Sequence, residues 1–211
     1  MRLAVLSESS ADEAAVRVIV GGILGREIRH ISIESSLRVR GWPGVKTLLP
    51  VIIPRLYYNS DAEALALVVD SDSSTIHQPS HNDATEVGNC RLCDLCNSAE
   101  YQLSRLTPVP GKGMLKIAIG LAVPAIEAWY VCLRDTHVNE ATWARHLGGE
   151  QITYTKNSLK EKIYGTERPS IALETECAVR VANELINDLD RIEELFPNGF
   201  SFFARGVRGW I

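Results

Sequence analysis

"LALVVDSDSS", residues 65–74, sets an apolar run against two aspartates. Residues 65–69 show no alternation of apolar and polar positions. That pattern belongs to a strand covered on both faces, as in a parallel sheet with helices on either side. Asp70 and Asp72 then stand one residue apart. If the backbone stays extended, residues i and i+2 point the same way, so the two carboxylates are presented together and Ser71 points away. The same letters also suit a polar turn after a strand, since Asp is a turn former. The surrounding chain has to decide between loop and site.

Working outward, "LAVLS" (3–7) is a second unalternating apolar run and reads as another buried strand. Ser10 with Glu13 fits a capping box, and apolar residues then recur at helical spacing as far as Gly25. "EIRHISI" (27–33) alternates like a strand. A helix is expected around 44–58, with Pro50 and Pro54 blurring its limits. Residues 73–89 are polar and loop-like, and a helix is expected over 93–106. "MLKIAIGLAV" (114–123) is a fourth strand, and Pro124 suits the first turn of a following helix. Helices are then expected at about 139–147, 156–164 and 170–195, before an aromatic and basic tail.

Strands alternating with helices through residue 135 predict an α/β fold, a mostly parallel sheet flanked by helices, with a helical C-terminal part. No repeat or low-complexity linker interrupts the 211 residues, so one domain is expected, with a core over 1–135 and a helical extension over 136–211. Ligands of such sheets sit beyond the carboxyl ends of the strands. Glu8 follows the first strand, and Asp70 and Asp72 end the third. The three carboxylates are therefore expected on one edge. Packed together they repel, and a divalent cation offsets the repulsion. Magnesium and manganese prefer such oxygen ligands and serve phosphodiester chemistry.

The formal net charge is −4, so nucleic acid would have to be held by local basic groups or metal ions rather than by bulk charge. The longest apolar stretches fall short of a membrane span, and the N-terminus lacks a signal-peptide pattern. A cytoplasmic protein without a membrane partner is expected. The odd cysteine count, five, argues against a disulfide framework.

With a glutamate after the first strand, in "LAVLSESSADEAAV", and Asp-x-Asp ending a later one, in "LALVVDSDSS", the chain resembles the Toprim domain. That domain occurs in topoisomerases, bacterial primases, OLD-family nucleases and small Toprim-like proteins linked to phage defence. "VPAIEAWYVCLRD" (123–135) is similar to the Pro-x-x-Glu-Ala-Trp-Leu segment of the small members, and "TKNSLKEKIYG" (155–165) to a lysine-containing helix that follows it. The resemblance implies a Toprim-like fold and a metal-dependent nuclease acting on DNA or RNA. It also implies an effector role in anti-phage defence, restrained by a partner protein or a homo-oligomer. Glu8, Asp70 and Asp72 would bind magnesium or manganese, Glu127 would add a ligand or orient water, and Lys156 or Lys160 would stabilise the transition state. Ser9 stands where many Toprim motifs have glycine. Glu127 also suits a plain helix-dipole partner, and Trp129 suits the core.

Cys90, Cys93 and Cys96 recur every three residues in "NCRLCDLCN". They read either as one stripe of a helix or as zinc ligands, with His77 or His81 completing the set. Arg38, Arg40 and Lys46 in one stretch, and Arg205 and Arg208 beside aromatics in the tail, are candidate nucleic-acid contacts or plain surface. Against the nuclease stands a second reading, a non-catalytic interaction module within a larger complex.

Overall fold

The computed structural model describes residues 1–34, 37, 41–82 and 88–211. It is an α/β fold around a four-stranded sheet, every strand pairing in parallel. The strands are β1 (Arg2–Leu6), β2 (Arg29–Ile31), β3 (Ala64–Asp70) and β4 (Lys116–Ala122), in the spatial order β2-β1-β3-β4. β3 is central and fully covered, with residues 64–69 at most 1% exposed. This explains its unbroken apolar run. β2 is an edge strand of only three residues, shorter than the expected 27–33, because it pairs with β1 alone and its face is largely exposed.

Helices cover both faces. α2 (Gly41–Asn59) and α3 (Arg91–Ser104) pack on each other on one side. α1 (Ser10–Leu24) lies on the other, against α7 (Ile171–Leu185) and α9 (Phe200–Arg208). α2 runs through both prolines. Its buried face of Val45, Leu49, Ile52, Ile53, Leu56 and Tyr57 holds the helix against the core despite the lost backbone bonds. α1 and α7 meet closely at Gly22, where a Cβ would lie 2.4 Å from Ile186 Cγ2.

The later helices are α4 (Ile126–Val131), α5 (Glu140–Leu147), α6 (Lys156–Tyr164) and α8 (Leu189–Leu195). The single helix expected over 170–195 is broken at residues 186–188 into α7 and α8. The tail is helix α9, not a loose arm. Phe200, Phe203, Val207 and Trp210 are buried on β4 and α1. Among the described residues no helix is long and apolar enough to cross a membrane.

Candidate functional site

The sheet order reverses between β1 and β3. Chain connections run outward from that pair in opposite directions, which opens a crevice beyond their carboxyl ends. Glu8 leaves β1 there and Asp70 ends β3. Their meeting is direct: the Asp70 backbone N–H donates to Glu8 Oε1 at 3.0 Å. Ser9 caps α1, with its hydroxyl accepting from Asp12 N, and its φ of −142° is ordinary extended backbone. The cap thus sits one residue earlier than the Ser10 expected. A side chain at position 9 costs no strain here. Gly41 is where glycine is needed: at φ +66° its N–H donates to the Glu8 carbonyl, and a Cβ would come within 3.8 Å of Glu8 Oε2.

Asp70 and Asp72 converge, but not by strand alternation. β3 ends at Asp70, and Asp72 adopts a left-handed conformation with φ +49°, which Asp tolerates better than most residues. The turn is fixed by Ser71 N–H donating to the Ala122 carbonyl at 2.7 Å and Asp72 N–H to the Pro124 carbonyl at 2.9 Å. Both carboxylates then meet Lys156. Its Nζ lies 2.9 Å from Asp70 Oδ2 and also bonds Asp72 Oδ1. Asp70 Oδ1 accepts from the Ile126 N–H at 3.0 Å.

Arg91 was not legible as a site residue, yet it stands at the centre. Its Nη1 donates to the Asp70 carbonyl at 2.6 Å and lies 2.8 Å from Asp72 Oδ2 and 3.8 Å from Glu8 Oε1. The first residue of α3 thus reaches all three acidic positions. Its guanidinium stacks on Trp42, 5.0 Å from the ring centroid.

Glu127 is the second residue of α4, two positions beyond the N-cap rather than in a turn begun by Pro124. It is 4% exposed, accepts from the Tyr164 hydroxyl at 3.4 Å, and has Lys160 Nζ at 3.9 Å. The two candidate lysines therefore divide the work: Lys156 serves the aspartate pair and Lys160 serves Glu127. A cavity of about 260 Å³ joins Glu8, Asp70, Glu127 and both lysines, and Asp12 and Glu174 line it too. Asp12, which from its place in the first turn of α1 suits a plain helix-dipole partner, is a second site residue that the sequence did not mark.

Burial dominates the electrostatics here. It pushes Glu8 up to about 7, helped by the charge of Asp70, and Glu127 up to about 7 for the same two reasons. Asp12 is raised by burial and by Asp70. Asp70 is raised by burial despite Lys156. At Asp72 burial works in the same direction, but hydrogen bonds and charge from Lys156 and Arg91 outweigh it and lower the value. The donors suit magnesium or manganese in kind, being hard oxygens. Lys156 and Arg91 lie between these carboxylates. Among the described residues the group whose metal-binding atoms do all lie within 4.8 Å of one another is instead His77, His81, Cys90 and Cys93. That cluster can hold a metal ion.

No family model, no curated protein and no solved structure matches the chain. The site must therefore be read from its own geometry.

Other sequence candidates fall elsewhere. Cys96 is outside the His/Cys group and lines a groove between α3, β4 and α9. Arg208 pairs with Glu193. It sits near the start of β4, where Lys116 bonds the Trp210 carbonyl, so it lies at the opposite end of the sheet from the carboxylates. Arg205 lines the same groove as Cys96. Of the aromatics around both arginines, Phe200, Phe203 and Trp210 are buried in the core, and the half-buried Phe202 lines the groove with Arg205 and packs edge-on against His77. Trp129 is core as well, fully buried against Phe200. Lys46 pairs with Asp94 at 2.6 Å. Arg38 and Arg40 lie outside the described residues.

Proposed function

We propose that the chain is a metal-dependent phosphodiesterase acting on DNA or RNA, with a Toprim-like acidic site. One observation carries the reading: the Glu8 and Asp72 carboxylates and the Asp70 carbonyl converge on a single guanidinium nitrogen of Arg91 at the crevice where α/β sheets bind ligands. Glu8, Asp70 and Asp72 would hold magnesium or manganese, which would supply the Lewis acid for phosphodiester cleavage. Lys156 and Arg91 offer N–H donors to phosphate oxygens and offset charge as it develops. Glu127, with a carboxyl pushed up to about 7, exchanges a proton near neutral pH, as a general base or acid must. Lys160 and Tyr164 hold that carboxyl in place. A nuclease of this kind requires restraint in the cell, and a role as an anti-phage effector under a partner protein or a homo-oligomer belongs to the same proposal.

A second reading has its own support. Lys156 and Arg91 already neutralise the aspartate pair, as they would in a non-catalytic interaction module. A nuclease assay on single- and double-stranded DNA and on RNA, with and without manganese, separates the two. Manganese-dependent cleavage that falls about a hundredfold in Asp70→Asn supports the enzyme. Cleavage undiminished in that variant, or none on any substrate, supports the module.

A further inference from the structure

His77, His81, Cys90 and Cys93 bring two imidazoles and two thiols together beside the acidic turn. Cys93 Sγ lies 3.3 Å from His77 Nδ1, and Cys90 Sγ lies 3.9 Å from the same nitrogen. Zn–S bonds of about 2.3 Å and Zn–N bonds of about 2.0–2.1 Å put the ligands of a tetrahedral zinc roughly 3.3–3.8 Å apart. The observed distances bracket that range. His77 and Cys90 are buried.

Three independent features point to an ion. His81 Nδ1 is buried and, among the described residues, has no hydrogen-bond partner, a state that is costly for an imidazole nitrogen. The histidines stand four residues apart and the cysteines three, which are zinc-ligand spacings. Finally, Cys90 occupies the N-cap of α3, yet its side chain makes no capping bond. Its thiol faces His77 instead.

Arg91 lies between the two cysteines in sequence and begins α3. The loop carrying the histidines follows the Asp70–Asp72 turn, and Thr75 N–H donates to the Asn89 carbonyl at 3.0 Å, joining its two ends. We infer that His77, His81, Cys90 and Cys93 bind one zinc ion, which fixes the first turn of α3 and so holds Arg91 against Asp70 and Asp72. Two thiolates and two imidazoles in tetrahedral reach select zinc over magnesium or manganese. The ion positions Arg91 and touches no substrate, so the inference stands whether or not the chain cleaves nucleic acid.

Elemental analysis of the purified full chain tests the site. About one zinc per chain is expected, kept in Cys96→Ser and in Arg91→Ala, and weakened about tenfold or more in affinity in Cys93→Ser. Cobalt exchanged into the wild type should give the ligand-field absorption of a tetrahedral thiolate site, which decides the matter even if Cys93→Ser does not fold. A wild type that stays metal-free after incubation with zinc, or that gives octahedral cobalt, overturns the site. Hydrogen exchange tests the coupling. Chelation should speed exchange of the Ser71 and Asp72 amides about tenfold while leaving the centre of β3 protected. Unchanged protection of those two amides in zinc-free protein overturns the link to Arg91.

Discussion

Lys156 Nζ lies 2.9 Å from Asp70 Oδ2, joining the end of the central strand to the first residue of α6 across 86 positions of sequence. The same ammonium bonds Asp72. Thr155 caps α6 and its partner Ser158 completes the capping box, so Lys156 is presented from a fixed helix end. The acidic turn thereby folds with its own counter-charge. The ion pair raises the lysine further into its charged range, with Asp70 and the Asp72 hydrogen bond outweighing burial.

Replacing Lys156 with Met should leave two aspartates facing each other. The pair is 20–37% exposed rather than sealed, so the loss is smaller than for a fully buried ion pair, about 1–2 kcal/mol. Urea denaturation at pH 7 measures it. Manganese should restore part of the loss by supplying the missing positive charge. An unchanged unfolding midpoint would mean that Lys156 does not compensate the pair.

Stability should fall as pH rises from about 4.5 to 7. Glu127 titrates near 7 in the fold against an ordinary 4.5, so between those values the folded chain holds a proton that the open chain has released. The protonated form is the favoured one in the fold, and its contribution is full below 4.5 and gone above 7. The difference is on the order of 3 kcal/mol. Glu127→Gln mimics the protonated group and should flatten the decline. Parallel urea titrations of both proteins at pH 5 and pH 7.5 check this, and equal slopes would contradict it.

Gly22→Ala should cost about 1–3 kcal/mol, even though alanine is the better helix former. Its Cβ would fall 2.4 Å from Ile186 Cγ2 and 2.6 Å from Ile186 Cβ, atoms that cannot swing aside. Ile186→Ala in the same chain should recover part of the loss. A thermal melt of the single and double variants decides; a single variant as stable as the parent would show that α1 and α7 can shift apart.

The sequence by itself determined the parallel sheet and the placing of its carboxylates. Both follow from local rules. An unalternating apolar run demands cover on both faces, and a strand that ends in polar residues ends at the ligand edge. Glu8, Asp70 and Asp72 were legible for that reason. β2 was misjudged in length because an edge strand's extent depends on its one neighbour.

Only the tertiary structure decided which charges meet. Arg91 looks like one more surface arginine in "NCRLCDLC", and nothing local marks it as the partner of Asp72 and Glu8. Asp12 looked like a helix-start acid, and it lines the acidic cavity. Position 156 was inseparable from 160, since both lie on one helix face; their separate partners depend on how α6 docks against α4. The cysteine triplet resolved likewise, with Cys90 and Cys93 turned toward His77 and His81 and Cys96 toward a groove. Charges and metal ligands act over a few ångströms of space, and residues that close can stand anywhere in the chain. Periodicity, a property of neighbours in sequence, carries the elements but not these meetings.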